Sequence, residues 1–217
     1  AFITGASSGI GQAAAHQFAA AGFDLIISAR RKSRIDELSR LLVEQHGVEV
    51  LALELDVRDQ EAVRESIGSL PKKWQTIDVL INNAGLSRGL VTIDKGLISD
   101  WDEMIDTNVK GLLYVSRAVT PLMVRRQAGH IINIGSIAGH EVYANGAVYC
   151  ASKHAVDALT KGMRIDLCQH GVKVSTIDPG LVNTEFSKVR FHGDQQRADS
   201  TYNGMTPLSA DDVAATI

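Results

Sequence analysis

Ala1-Phe2-Ile3-Thr4-Gly5-Ala6-Ser7-Ser8-Gly9-Ile10-Gly11 is a short apolar run breaking into a glycine-rich turn, and helical periodicity follows over Ile10–Ala21. Glycine in such a turn lets the backbone approach a pyrophosphate, while the helix N-terminus offers free N–H groups and the positive end of its dipole. Contacts to a dinucleotide are therefore expected from Gly5, Ser7, Ser8, Gly9, Ile10 and Gly11. The glycine spacing differs from the common G-x-G-x-x-G fingerprint, and a plain tight connection is the other reading of the turn alone. No Gly-Lys-Ser/Thr ending follows, which disfavours a P-loop nucleotidase.

Outward from this turn, short apolar runs alternate with helical stretches. Strands are expected at 1–4, 24–28, 48–53, 77–81, 130–134 and 172–177, and helices at 10–21, 33–46, 59–70, 101–126 and 148–170. Strands so short and apolar are expected to be buried on both faces, the habit of a parallel sheet flanked by helices. The fold class is thus α/β, a Rossmann-type doubly wound parallel sheet, with 1–217 as a single domain. Too few βα units are present for a closed eightfold barrel.

Composition narrows the function classes. A net charge of −3 gives no global attraction to nucleic acid or an anionic membrane. No apolar run is long enough to span a bilayer, no leader is recognisable, and a cytoplasmic location is expected. Cys150 and Cys168 lack metal-ligand spacing, so they read as thiols in a reducing compartment and no metal is expected. Phe2-Ile3-Thr4 already reads as the end of a strand, and Ile217 follows closely on a helix start at Ser209, Asp211 and Asp212. Both termini are therefore expected to be incomplete.

In an open parallel sheet, ligands lie beyond the carboxyl ends of the strands. After the second strand stands Ser28-Ala29-Arg30-Arg31-Lys32, with no acid to accept from ribose hydroxyls. Arg30 and Arg31 suit the 2′-phosphate of NADP; a solvated basic turn is the alternative. Asp56-Val57 follows the third strand and suits an adenine edge. Asn82-Asn83-Ala84-Gly85 follows the fourth, where Asn83 can tie strand ends and Ala84 and Gly85 let a cofactor pass.

Tyr149 and Lys153 are one turn apart on a helix face. An ammonium beside a phenol is expected to lower the phenol's pKa and make it a general acid/base near neutrality. Ser136, just past the fifth strand, can hold a substrate oxygen. Asn108 sits mid-helix against its propensity, which suggests a buried network holding a water for proton relay; an exposed helical asparagine is the alternative.

Together these residues resemble the short-chain dehydrogenase/reductase family over essentially the whole chain. The match runs through Thr4 to Gly11, Asn82-Asn83-Ala84-Gly85, Asn108, Ser136, Tyr149 with Lys153, and Pro179-Gly180. The resemblance implies Tyr149 as general acid/base, Lys153 holding the nicotinamide ribose, Ser136 orienting the substrate oxygen and Asn108 anchoring a water relay. It extends the cofactor contacts to Tyr149, Lys153, Pro179, Gly180, Val182 and Thr184. Trp101–Asn108, His130–Ser136 and Pro179–Ser187, with Val189–Asp194, are similar to NADP-dependent 3-hydroxy acid dehydrogenases acting on serine and allo-threonine. That similarity implies NADP, a small 3-hydroxy acid or its carbonyl counterpart, and a cytoplasmic homotetramer.

Residues after Pro179-Gly180 are expected to form a mobile lid, with Thr184 bonding the nicotinamide amide. Arg190 is its best-placed cation for a substrate carboxylate; a helix cap or a neighbouring subunit is the other reading. His140-Glu141 finds no role. Two rival functions remain: a non-catalytic NADP-binding regulator, which predicts loss of Ser136, Tyr149 or Lys153, and a reductase of bulkier ketones, sugars or acyl thioesters sharing the same catalytic set. A nucleotide-sugar epimerase relative would show a different glycine spacing and a longer substrate region.

Overall fold

In the computed structural model, which describes all 217 residues, six strands form one sheet in the order β3-β2-β1-β4-β5-β6. They are β1 (Phe2–Thr4), β2 (Leu25–Ala29), β3 (Val50–Glu54), β4 (Val79–Asn82), β5 (Gly129–Ile134) and β6 (Val172–Ile177). Every pairing is parallel. The order reverses between β1 and β4, so their carboxyl ends frame the crevice in which such sheets bind ligands.

The connecting helices are α1 (Gly9–Ala20), α2 (Lys32–His46), α3 (Gln60–Gly68), α4 (Ile98–Ile105), α5 (Leu112–Arg126) and α6 (Ala147–Leu167). Ala13, Ala14, Ala15 and Ala19 form the buried face of α1, and side chains this small let it lie close to the sheet. Ile35, Leu38 and Leu42 make the buried stripe of α2, each contributing about 2 kcal/mol by leaving water. Gly47 closes α2 in the left-handed conformation. Asp59 caps α3 by accepting from the Glu61 and Ala62 amides. The apolar core divides into two large clusters, one gathering α1 and α2 residues and the other α3 and α5 residues, and a small third one around Leu86, Met104, Ala138, Tyr149 and Cys150.

Two expectations are corrected. The central strands are buried, but β3 is only half-buried and ends exposed at Glu54, because an edge strand is covered from fewer sides. The helix expected over 101–126 is two helices joined by a π-helical turn at Asp106–Gly111, which contains Asn108. A side-chain period of 3.6 hardly registers one inserted residue, so the wider turn is invisible to periodicity. The segment expected to form a lid carries α7 (Phe186–Arg190) and α8 (Gln195–Ser200) before α9 (Ala210–Ala214). Ser209 and Asp212 close α9 with a reciprocal capping box.

A buried polar ladder fixes α6 against the sheet. Asn82 Nδ2 donates to Ser116 Oγ and to Asn133 Oδ1, both at 2.9 Å, and Asn133 Nδ2 donates to Thr160 Oγ1 at 2.8 Å. The ladder links α5, β4, β5 and α6, and so sets the height at which α6 presents Tyr149 and Lys153.

The glycine turn is held by contact rather than flexibility alone. A β-carbon on Gly11 would lie 2.3 Å from Asn83 Nδ2 and 2.6 Å from the Gly5 carbonyl oxygen. Gly11→Ala is therefore expected to destabilise the chain by about 1–3 kcal/mol in urea unfolding, through overpacking. Gly162→Ala, at an open position inside α6, should stabilise by roughly 0.5–1 kcal/mol. Equal responses at the two positions would contradict this packing.

Candidate active site

The chemistry-bearing residues converge at the carboxyl ends of β1, β4, β5 and β6. Thr4 and Asn83 lock the first two together. Asn83 Nδ2 donates to the carbonyls of Thr4 at 2.8 Å and Gly5 at 3.2 Å, while Thr4 Oγ1 accepts from the Asn83 and Ala84 amides, both at 3.0 Å. Gly5 has φ +68°, a conformation costly for any residue with a side chain, and its Cβ position is filled by Asn83 and Ala84. Ser8 precedes α1 in extended conformation without capping it, and no acid lies in the first turn. The leading N–H groups of α1 thus stay free for an anion. Ile10 packs on the core behind them.

The two arginines separate. Arg31 reaches back to the glycine turn, bonding Ser7 Oγ at 2.9 Å and Ser8 Oγ at 2.7 Å. Arg30 does not join it; its guanidinium stands 3.6 Å from Glu103 of α4. Asp56 is engaged by Arg58, with contacts down to 2.6 Å. Burial pushes the Asp56 carboxyl up, but the hydrogen bonds from Arg58 outweigh it and hold the group below its usual value. Val57 is buried against Gly111 of the π-turn. The donor set of Arg31, Ser7 and Ser8, beside the free N–H groups at the start of α1, fits a phosphorylated dinucleotide.

Around Tyr149 the groups are close and dry. Lys153 Nζ donates to the Ile134 carbonyl at 2.8 Å and is fully desolvated, which drags its pKa down to about 8; the charge of Asp178 partly resists this. Tyr149 is pushed up to about 12, chiefly by burial. Ser136 and Arg190 pull it down, while Tyr143 and Cys150 push it further up. The lowered phenol expected from the Tyr149–Lys153 spacing is therefore corrected: the ammonium bonds to a main-chain carbonyl rather than to the phenol, and burial dominates.

Ser136 Oγ accepts from the Ala138 amide at 3.1 Å and donates to the Pro179 carbonyl at 3.4 Å. Asp178 fixes the same loop, accepting from the Ser136 amide at 3.1 Å, and Gly135 has no room for a side chain because the Asp178 carboxylate occupies its Cβ position. His140 stands 3.2 Å from the other Asp178 oxygen. Asn108 spends both amide protons on the Leu86 carbonyl at 2.8 Å and Ser152 Oγ at 3.0 Å, and its Oδ1 accepts from the Leu86 amide. Its side chain clamps the π-turn to the loop after β4 instead of offering those protons to a water.

The segment after β6 packs over this floor. Thr184 packs against Gly9, and its Oγ1 accepts from the Phe186 amide at 3.2 Å. Val182 bridges to Leu208, and a β-carbon on Gly180 would meet Ile137 Cδ1 at 3.9 Å, an ordinary contact. Arg190 is buried and faces Tyr149, 5.3 Å from the ring centre, with Tyr143 and Phe186 completing an aromatic box. Its Nε donates to Ser87 Oγ at 2.9 Å and one terminal nitrogen to the Tyr143 hydroxyl. A cavity of about 430 Å3 lies at the other end of the sheet around Ala1, Phe23 and Trp74, remote from all of these groups.

Sequence reasoning missed Ser87, Tyr143, Asp178, Arg34 and Glu185. Asp178 was discoverable, since an acid directly before Pro179-Gly180 stands at a strand's carboxyl end. Arg34 carried a weaker mark: cations in the first turn of α2 oppose the helix dipole. Nothing local marked the other three.

A dinucleotide-dependent oxidoreductase is the class that this crevice and its tyrosine–lysine floor define. The family profile described as short chain dehydrogenase matches residues 1–195, and the chain belongs to the short-chain dehydrogenase family. It is 46% identical to the NADP-dependent 3-hydroxy acid dehydrogenase of Salmonella typhi, over 99% of this chain and 86% of that protein. To the NADP-dependent 3-hydroxy acid dehydrogenase of Schizosaccharomyces pombe it is 45% identical, over 99% of this chain and 83% of the relative. The closed form of a serine dehydrogenase complexed with NADP+ superposes with a TM-score of 0.94 at 44% identity, covering 99% of this chain and 86% of that one.

The two shifted groups predict a distinctive pH dependence. The folded pKa of Lys153 is depressed from 10.5 to about 8, so its desolvation penalty is full below about pH 8 and disappears as pH rises to 10.5. Tyr149, raised from 10.0 to about 12, acts oppositely, and stability falls as pH climbs from 10 towards 12. Lys153→Met should therefore raise stability at pH 7, by on the order of 3 kcal/mol, and erase the rise between pH 8 and 10.5. Denaturant unfolding across that range checks it; a Lys153→Met chain less stable than the parent at pH 7 would sink the assignment.

Proposed function

We propose that this protein is an NADP-dependent dehydrogenase of small 3-hydroxy acids, interconverting the 3-hydroxyl and its carbonyl. The single observation that carries the substrate class is Arg190. A buried guanidinium is costly unless paired, yet no carboxylate of the chain pairs with it. Its Nη1 has no protein partner, and the group stands over the Tyr149 ring. A substrate carboxylate beside it would supply the missing charge and set the hydroxyl-bearing carbon near Tyr149.

NADP(H), when bound, supplies or accepts the hydride. The chain's own groups do the rest. The glycine turn and the N-terminus of α1 hold the pyrophosphate, and Arg31 with Ser7 and Ser8 takes the 2′-phosphate. Ser136 Oγ orients the substrate oxygen. Tyr149, protonated at neutral pH, gives its proton to that oxygen during reduction and takes it back during oxidation. Lys153 sits close to Gly85, where its ammonium can bond the nicotinamide ribose.

The non-catalytic regulator is disfavoured because Ser136, Tyr149, Lys153 and Asn108 are all retained around one crevice. A homotetramer is proposed from the resemblance to tetrameric relatives, supported by exposed apolar residues on α4, α5 and α6: Ile98, Leu113 and Ile165. A cytoplasmic location is supported by two free thiols, Cys150 and Cys168. No helix is long and apolar enough to cross a membrane.

Steady-state kinetics with both cofactors test the reading. Arg190→Met should reduce kcat/KM for 3-hydroxy acids by about 2–5 kcal/mol in transition-state stabilisation while sparing the matching uncharged alcohols. Tyr149→Phe should abolish turnover and retain NADP binding. Parallel losses on charged and neutral substrates would remove Arg190 as the carboxylate clamp, and equal use of NAD and NADP would remove the cofactor assignment.

A further inference from the structure

We propose that Glu185 is a lid-borne counter-ion that competes with the 2′-phosphate of the cofactor for Arg31 and Arg34, so that phosphate binding and release of the lid are one exchange. The inference rests on the assignment of NADP to this crevice and adds a residue and a coupling to it.

Glu185 stands between Thr184, packed on the glycine turn, and Phe186, packed on Tyr149 with ring centres 5.7 Å apart. Its carboxylate leaves the lid to reach α2 and the turn before it. Oε2 accepts from Arg31 Nη1 at 2.8 Å, and Arg34 Nη1 donates to both oxygens, at 2.8 and 2.9 Å. The neighbouring cations are committed elsewhere: Lys32 to Asp36, Arg30 to Glu103. Glu185 is thus the one acid on Arg31 and Arg34, and the pair holds its carboxyl below the usual value. The same Arg31 guanidinium is held by the Ser7 and Ser8 hydroxyls.

Two guanidinium groups beside two hydroxyls are donors for a phosphate, which carries more charge than a carboxylate and a third acceptor oxygen. All three ionised side chains are nearly half exposed, so the existing pairs are individually weak and a dianion can replace Glu185 without a large penalty. Displacement would free the segment that carries Phe186 and Arg190, and the coupling is reciprocal: whatever anchors Glu185 weakens the phosphate, and the phosphate loosens the lid. A cofactor lacking the 2′-phosphate leaves the contact in place.

Calorimetric titration of 2′,5′-ADP and ADP into the whole protein, parent and Glu185→Gln, separates the possibilities because neither probe reaches the nicotinamide end. The parent should prefer 2′,5′-ADP. Glu185→Gln should bind 2′,5′-ADP about 3–10-fold tighter, the scale of a few exposed ion pairs, and ADP about equally. Hydrogen exchange over residues 186–200 should accelerate when the parent binds 2′,5′-ADP and should already be fast in Glu185→Gln. A preference in the parent with unchanged or weaker 2′,5′-ADP binding in Glu185→Gln overturns the competition. Exchange that responds to neither overturns the coupling to the lid. No preference in the parent overturns the arginine–phosphate assignment itself, and the proposal with it.

Discussion

Where the chain crosses from β1 to α1, the backbone of Gly5, the backbone of Gly11 and the side chain of Asn83 occupy space that two β-carbons would otherwise take. This contact joins the two halves of the sheet at the point where strand order reverses, and it sets how far α1 projects over the crevice. The remaining site hangs from it. Asn83 is held by Thr4 and Gly5; Gly85, two residues on, lies against Asn108 and within reach of Lys153. Displacing the turn by a methyl group would move the nucleotide platform and the catalytic floor relative to each other, because one asparagine belongs to both.

Opposing this tight frame are charges placed where burial disfavours them. Lys153 and Arg190 are both buried without a carboxylate hydrogen-bonded to either. Their environments differ in kind. Lys153 has a main-chain carbonyl and the more distant charge of Asp178; Arg190 has hydroxyls and aromatic faces, which stabilise a planar, weakly hydrated cation better than they would an ammonium. Such sites lower the stability of the protein alone and recover it when anionic ligands arrive, the usual relation between a binding site and its fold.

The alternation of apolar runs made the doubly wound sheet legible, because parallel strands are nearly continuous Ile, Leu and Val and their boundaries differ from the observed ones by a few residues at most. The residues at strand ends were legible for the same reason: Arg31, Asn83, Ser136 and Pro179 are found by locating the end of each run. What resisted was anything set by tertiary contact. A π-turn around Asn108 leaves no mark in a helical period. The opposite shifts of Tyr149 and Lys153 follow from burial depth and from which acceptor the ammonium chose, neither of which the i, i+4 spacing contains. Arg31 and Arg30 are adjacent in sequence yet face different partners, since neighbours at a strand-to-helix turn diverge sharply. Glu185 lies more than a hundred residues from the arginines it meets.

The electrostatic design of the crevice reconciles these observations. The chain as a whole carries a net charge of −3, yet four cations stand on the carboxyl side of the sheet: Arg31 and Arg34 outside the second strand's end, Lys153 and Arg190 around Tyr149. Cations gathered on one side of a weakly negative protein favour small anions there without attracting polyanions to the surface at large. The two pairs also divide the work. At the outer end the cations are exposed and bound to a carboxylate that another anion can replace, so contact there is exchangeable. At the inner end they are desolvated and lack an acidic partner, so contact there is strong and selective, because each unmatched polar group costs the full value of its burial. Phe186 touches both regimes, next to Glu185 in the chain and against Tyr149 and Arg190 in space. A single short segment can therefore sense the anion at one end of the crevice and alter the packing around the reacting oxygen at the other.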